Sequence, residues 1–168
     1  MQNIKICLDP VSYESKPAGS EIGRISRRIE KSVYVLNCPT SYYEFVHNVG
    51  QYGHTFTPAT FGNGNRTENN FEQMQLFVLD FDGGVSFETI KERSNQYNLP
   101  IMFSYETFTS EESNEKFRIV FMNNVPMSDR KGAKILKHAL MEIFPEADKH
   151  DGDISRMYFG RKRMTVTP

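Results

Sequence analysis

The segment Gln75-Leu76-Phe77-Val78-Leu79-Asp80-Phe81 is a continuous apolar run of strand length. A run that is apolar on both faces predicts a strand in the centre of a sheet. The run ends in Asp80-Phe81-Asp82-Gly83-Gly84, and its glycines favour a turn directly after the strand. The fold prediction therefore starts from this central strand.

Apolar periodicity predicts five further elements on the C-terminal side of the run. In chain order they are a helix from residue 86, strands at 100–105 and 116–122, a helix at 129–144 and an edge strand at 156–159. This order of strands and helices is typical of a split βαβ unit of the RRM-like or ferredoxin-like kind. The predicted fold class is α+β.

The first 70 residues predict a smaller α/β lobe. Residues 32–38 are rich in β-branched and aromatic side chains and predict a strand, and a helix is expected at 41–50. Residues 53–70 are mostly polar and are interpreted as a long loop. We expect one domain over residues 1–168, with an N-terminal lobe at 1–70 and a second lobe at 71–168.

Composition and charge exclude several classes of protein. The chain has 38% hydrophobic and 12% aromatic residues, which is too much core-forming material for a disordered protein. No apolar run approaches the roughly 20 residues that span a bilayer, and the start lacks an apolar signal core. Two cysteines, Cys7 and Cys38, fit a reducing cytoplasm. A net charge of −1 means that a nucleic acid would have to meet a local basic patch.

Asp80 and Asp82 are the first candidate site residues. In a strand, residues two apart point to the same face, so both carboxylates are expected side by side. Like charges this close need a cation, and hard oxygen ligands suit Mg²⁺ or Mn²⁺. Neutralising either carboxylate is expected to remove repulsion and raise thermal stability. The other interpretation is an ordinary turn at the end of a strand.

An apolar strand that ends in Asp-x-Asp is similar to the first motif of two protein families. One is the haloacid-dehalogenase-like phosphatases, in which Asp80 would be the nucleophile and Asp82 the general acid. The other is the archaeo-eukaryotic primase superfamily, whose Asp-x-Asp ligates metal ions. The phosphatase motif lies near the start of a doubly wound domain, whereas 79 residues precede Asp80 here. The position of the motif favours the primases.

Further segments carry the same resemblance, in order and spacing. They are GHTFTPA (53–59) with Arg66, YETFTS (105–110), KFRIVF (116–121), AD (147–148) and DISRMYFG (153–160). The chain thus resembles the primase-polymerase domains of phage and plasmid replication proteins from about residue 53 to residue 160.

The resemblance implies a two-metal site for Mg²⁺ or Mn²⁺, held by Asp80, Asp82 and Asp148. It also implies nucleoside triphosphates, a single-stranded DNA template and a helicase domain or protein as partners. The implied nucleotide-binding residues are Ser110, Arg118, Arg156, His54 and Arg66. The family's second motif carries a His that contacts the nucleotide, and the corresponding position here is Ser110.

Several candidate residues have a second interpretation that the sequence leaves open. Arg118 lies in an apolar strand and needs an anionic partner, which is either a nucleotide or a nearby Glu. Arg156 has a similar alternative partner in Asp153, and His54 fits a solvated loop. Asp151 and the glycine after it are interpreted as a turn.

The basic tail Arg161, Lys162 and Arg163 fits either a contact with a template backbone or a solvated chain end. Taken with the resemblance, the sequence predicts a template-dependent nucleotidyltransferase (a DNA primase or polymerase) of a mobile-element replication protein. The alternative is a non-catalytic nucleic-acid-binding initiator module of the same fold, and a phosphatase is a lesser alternative.

Overall fold

The computed structural model describes residues 3–37 and 41–161. Within these ranges the chain forms seven strands and four α-helices. The strands are β1 (Asn3–Leu8), β2 (Val33–Asn37), β3 (Phe56–Thr57), β4 (Ala59–Phe61), β5 (Phe71–Phe81), β6 (Ile101–Glu106) and β7 (Phe117–Met127). The helices are α1 (Ser20–Ile29), α2 (Tyr42–Gly50), α3 (Phe87–Gln96) and α4 (Arg130–Ile143).

The strands form two antiparallel sheets. One has the order β2-β1-β3, and the other has the order β4-β5-β7-β6. In the larger sheet, β5 and β6 are joined by α3 and separated by β7, which is the predicted split βαβ arrangement. The predicted α+β class is confirmed.

Strand β5 separates two hydrophobic cores because its side chains alternate between the faces of the sheet. Phe77, Leu79 and Phe81 face a core that includes buried residues of α3 and α4. Leu76 and Val78 face a second core, formed with α2 and the three-stranded sheet. Both faces of β5 are therefore covered, which explains its continuous apolar sequence.

The predicted edge strand at 156–159 is wrong. Only Tyr158 of this segment forms a β-bridge, an isolated one with Phe56 of β3. The place beside β5 in the larger sheet is taken by β4, which precedes it in the chain. The 156–159 segment instead supplies side chains to a buried ionic cluster near the end of β5.

The loop predicted at 53–70 is also partly wrong, because it contains β3 and β4. Thr55, Thr57 and Thr60 are fully buried there, although their polar side chains favoured a solvated loop. Strand β1 and helix α1 were not predicted at all. Among the residues that the structure describes, no helix is both long and apolar enough to cross a lipid bilayer.

Candidate functional site

Asp80 lies near the end of β5, directly opposite Arg118 of β7. The Asp80 side chain is only 3% exposed. Its Oδ1 lies 3.0 Å from Arg118 Nε, and its Oδ2 accepts a hydrogen bond of 3.1 Å from Arg118 Nη2. Arg118 also donates to the backbone carbonyl oxygen of Phe159. The sequence left a nucleotide or a Glu as partners of Arg118, and the partner in the structure is Asp80.

Arg156 holds three carboxylates at once. Its Nη2 donates to Asp80 Oδ2 at 3.1 Å and to Asp148 Oδ2 at 2.9 Å. Its Nη1 donates to Asp151 Oδ1 at 2.9 Å. The backbone N–H of Asp148 also donates to the Asp80 carbonyl oxygen at 2.8 Å. The fold therefore brings Asp148 next to Asp80, as expected from the sequence, but with a guanidinium between their carboxylates.

Asp151 is the anchor of this cluster, although the sequence suggested only a turn. Its side chain is fully buried, and Oδ2 accepts a hydrogen bond of 2.6 Å from the Asp80 backbone N–H. Oδ1 accepts a second hydrogen bond from the Tyr158 hydroxyl at 3.0 Å. The short 3₁₀ helix Lys149–Gly152 carries Asp151 to this position.

Lys137 completes the cluster from α4, and the sequence gave little sign of it. Its ammonium group is buried, lies 3.1 Å from the Tyr158 hydroxyl and donates to the Val78 carbonyl oxygen. Its only sign in the sequence is its position in α4, where it shares the buried face of the helix with Ala133 and Leu140. A buried Lys requires polar partners, so it marks a polar site inside the core.

The charges of the buried cluster balance, with three carboxylates (Asp80, Asp148 and Asp151) against three cations (Arg118, Arg156 and Lys137). Burial lowers the pKa of Lys137 to about 8, although Asp151 works against this shift. Burial raises the pKa of Asp151. Burial also acts to raise the pKa of Asp148, but hydrogen bonds from His150 and the charge of Arg156 hold it below its ordinary value.

Asp82 lies in a different environment from Asp80. It follows the last residue of β5, is exposed, and has no hydrogen bond or ion pair with the described part of the chain. Gly83 and Gly84 then turn the backbone at φ +108° and +79°. Asp82 borders a pocket together with Lys16, Thr107, Phe108, Thr109, Arg118 and Phe159. The two carboxylates therefore differ in exposure, since Asp80 is buried and Asp82 is exposed. A shared face for the two side chains stays a prediction.

As arranged, these residues do not fit a divalent ion. No group of three or more His, Cys, Asp or Glu residues within 3–37 and 41–161 is placed to hold one. Both oxygens of Asp80 face guanidinium groups, and Asp148 is held by Arg156 and His150. The donor chemistry suits Mg²⁺ or Mn²⁺, but protein cations already occupy the space between the donors.

The other predicted nucleotide-binding residues contact groups outside this cluster. The His54 ring contacts the Asp9 carbonyl oxygen at 2.8 Å. Arg66 donates to Ser26 Oγ at 2.9 Å and to the Ser155 carbonyl oxygen. Ser110 Oγ accepts a hydrogen bond of 3.0 Å from the Lys116 N–H. Arg118 and Arg156 are the predicted cations that reach Asp80.

The structure describes only Arg161 of the basic tail. Arg161 forms an ion pair with Glu106, and its backbone N–H donates to the Val49 carbonyl oxygen at 2.8 Å. Lys162 and Arg163 lie outside the described residues. A role of this tail in binding a template stays a prediction.

The phosphatase alternative is wrong. A doubly wound phosphatase domain requires a mostly parallel sheet, whereas β5 pairs antiparallel with both of its neighbours. Asp80 is also unsuited to act as a nucleophile, because its carboxylate is buried between two arginines.

No protein-family model and no curated protein matches the chain. A solved structure that does match is the AEP (archaeo-eukaryotic primase) domain of the cyanophage S-2L primase-polymerase. The TM-score is 0.47 at 9% identity, and the match covers 94% of this chain and 71% of that chain.

Proposed function

We propose that this chain is a nucleotidyltransferase of the primase-polymerase type, which joins nucleotides on a single-stranded DNA template. The observation that carries the proposal is the meeting of Asp80 with Arg118, Arg156 and Asp148 at one end of the central strand. These side chains come from positions up to 76 residues apart in the chain. Ionisable groups with shifted pKa values cluster at functional sites, and burial shifts the pKa values of Lys137 and Asp151 in this cluster.

The pocket beside Asp82 is the proposed binding site for the triphosphate. Lys16 and Arg118 supply positive charge there, and Thr107 and Thr109 supply hydroxyl groups. Guanidinium groups bind phosphate through charge-assisted hydrogen bonds, often two at a time. Transfer of a nucleotide depends mainly on positioning the phosphates and neutralising their charge. Arg118 and Arg156 are the residues that we assign to this task.

Mg²⁺ or Mn²⁺ ions are part of the proposed function only as a source of positive charge at the phosphates. When bound, they would supply further charge neutralisation at the transferred phosphate. Asp80, Asp82 and Asp148 are the residues proposed to hold them. Because Arg156 lies between Asp80 and Asp148, their arrangement has to change before they do so.

A second candidate function is a non-catalytic nucleic-acid-binding module of a replication initiator. The ion pairs of Asp80, Asp148 and Asp151 with internal cations favour it, because carboxylates that are already compensated need no ligand to neutralise them. Primase-polymerases carry a His at the position that corresponds to Ser110 in this chain. The absence of that His from position 110 also favours the non-catalytic module.

A template-extension assay with Mn²⁺ or Mg²⁺ and labelled nucleotides separates the two candidates. We expect the wild type to extend a primed single-stranded DNA. We expect Asp82→Asn to abolish extension without lowering the melting temperature, because Asp82 is exposed and forms no ion pair with the described residues.

Glu112→Gln is the matched control, since Glu112 is also exposed and acidic. It should extend the primer as the wild type does. Binding of single-stranded DNA without any extension by the wild type would favour the non-catalytic module. Near-normal extension by Asp82→Asn would remove Asp82 from the proposed site.

A further inference from the structure

Helix α1 and the turn after it carry three exposed cations on one side, Arg24, Arg27 and Lys31. Arg24 and Arg27 leave the helix about 60° apart, since each residue turns the chain by about 100°. Lys31 continues this row, because its backbone N–H still donates to the Arg28 carbonyl oxygen at 3.1 Å. We call these three residues the α1 stripe. It is about 10 Å long at about 1.5 Å per residue.

The α1 stripe is not compensated within the described chain. The side chains of Arg24 and Lys31 form no hydrogen bond or ion pair with the described residues, and Arg27 donates only to the Gly23 carbonyl oxygen of its own helix, at 3.2 Å. Arg28, by contrast, donates to both oxygens of Asp9, at 2.9 and 2.8 Å. Arg27 and Lys31 are four residues apart, a spacing at which like charges destabilise a helix. An external anion would relieve this repulsion.

The two glutamates of this segment do not neutralise the α1 stripe. Glu30 accepts a hydrogen bond of 3.1 Å from the Arg66 backbone N–H. Glu21 lies in the first turn of α1, where the helix dipole favours a negative charge. Neither forms an ion pair with another described residue. The positive charge of the stripe therefore faces solvent.

Arg66 fixes α1 beside the segment that carries Arg156. Its Nη2 donates to Ser26 Oγ of α1 at 2.9 Å, and its Nη1 donates to the carbonyl oxygen of Ser155. A Cβ atom at Gly64 would lie 3.3 Å from Lys31 Cγ, so this turn also packs closely against the stripe. A ligand on the stripe would thus lie beside the buried cluster, roughly one helix diameter of about 10 Å away.

The chemistry of the stripe favours a nucleic-acid strand over a membrane. An interfacial helix must insert its apolar face into the bilayer, whereas Ile25 and Ile29 of α1 are fully buried in the protein. Phosphates follow one another along a strand at about 3.4 Å of rise, so a stripe of about 10 Å spans about three of them. Guanidinium groups also form paired, charge-assisted hydrogen bonds with phosphate oxygens.

We propose that the α1 stripe binds the phosphodiester backbone of a single-stranded nucleic acid. The contact is electrostatic and carries no base specificity. The inference rests on the proposed function only in identifying the bound strand as a template. Binding itself requires neither a nucleotide nor a divalent ion.

Fluorescence anisotropy of a labelled oligothymidylate tests this surface, in a salt series without nucleotides or divalent ions. We expect the triple variant Arg24→Gln, Arg27→Gln, Lys31→Gln to bind at least about tenfold more weakly than the wild type at low salt. The slope of log affinity against log salt should fall by about two, because each contact with a single strand contributes about 0.7. The melting temperature should stay unchanged, since Gln is a good helix former and the three cations have no ion-pair partner in the described chain.

A second triple variant, Lys91→Gln, Arg130→Gln, Lys131→Gln, is the matched control. It removes the same charge from α3 and α4, where Lys91 forms only a long, exposed pair with Glu88. It should bind the oligothymidylate as the wild type does. An equal loss of affinity in both triple variants would assign binding to net charge and overturn the α1 stripe.

Two further results would also overturn the proposal. One is an absence of binding by the wild type at low salt. The other is displacement of the oligothymidylate by poly-glutamate as readily as by unlabelled oligothymidylate at equal charge, which would assign the stripe to an acidic protein segment.

The binding assay and the primer-extension assay fail independently. Stripe-dependent binding without any primer extension would keep the stripe and reject the proposed function. Primer extension by the wild type, with binding unaffected by the α1 substitutions, would do the reverse.

Discussion

Two acidic regions lie near the end of β5 and differ in how their charges are compensated. In the buried cluster, Asp80, Asp148 and Asp151 are paired with arginines. In the exposed acidic region, formed by Asp82, Glu111 and Glu112, the structure records no ion pair with the described residues. Asp80 and Asp82 are two residues apart and belong to different regions. The position of a carboxylate relative to the core, and not its spacing along the chain, decides whether it needs an external cation.

The largest effect is expected when Arg156 is removed from the buried cluster. Arg156→Ala should lower the free energy of unfolding by about 4 kcal/mol, because it leaves buried carboxylates without their shared partner. Urea denaturation followed by circular dichroism measures this change. Arg93→Ala, which breaks a more exposed pair, should cost only about 1 kcal/mol. Equal costs would show that the buried cluster is no more important than a surface pair.

Asp80→Asn should lower the free energy of unfolding by about 3 kcal/mol, because Arg118 loses its carboxylate partner. This reverses the sequence-based expectation that neutralising Asp80 raises stability. That expectation assumed repulsion from Asp82, whereas the carboxylate is held by two arginines. An increase in the midpoint of denaturation would instead support the expectation that repulsion from Asp82 destabilises the wild type.

Lys137 should make the free energy of unfolding depend on pH. Burial lowers the pKa of Lys137 to about 8 in the folded chain, whereas its ordinary pKa is 10.5. Between these two pH values, the unfolded chain therefore binds more protons than the folded chain. The free energy of unfolding of the wild type should therefore rise with pH in this range, by about 2 kcal/mol from pH 8 to pH 10 relative to Lys137→Met.

Urea denaturation of both proteins at several pH values in this range measures the difference. Lys131→Met is the control, because Lys131 is exposed on the same helix and should show no such pH dependence relative to the wild type. A constant difference between the wild type and Lys137→Met would contradict the effect of burial on Lys137.

The smallest effect is expected in the exposed acidic region. Asp82→Asn should change the free energy of unfolding by no more than about 0.5 kcal/mol, as is usual for surface substitutions. Thermal denaturation at low and at high salt checks it. A cost close to that of Asp80→Asn would place Asp82 in the buried cluster and remove the contrast between the two regions.

Much of the C-terminal fold could be predicted from local patterns. The apolar run of β5 and the periodicity of α4 were sufficient for the split βαβ unit, because each buries a regular face. Strands β3 and β4 could not be recognised, since their buried threonines look like loop residues. A short strand of this kind is defined by its partners across the sheet, which local sequence does not contain.

The candidate site was predictable only in part. The spacing of Asp80 and Asp82 correctly indicated a site at the C-terminal end of β5. The family resemblance added Asp148, Arg118 and Arg156. Asp151 and Lys137 were missed because an Asp before a Gly resembles a turn, and a Lys in a helix is usually solvated. Their pairing depends on contacts between α4 and the segment after it, which only the folded chain brings together.

Inside the folded chain, Asp80 is already neutralised by Arg156. A double-mutant cycle with Asp80→Asn, Arg156→Gln and the combined variant tests it most directly through the free energies of unfolding. We predict a favourable coupling energy of about 1–3 kcal/mol between the two residues, as found for side chains in one ionic network. Additive effects, with a coupling near zero, would contradict this pairing and leave Arg118 as the cation that compensates Asp80.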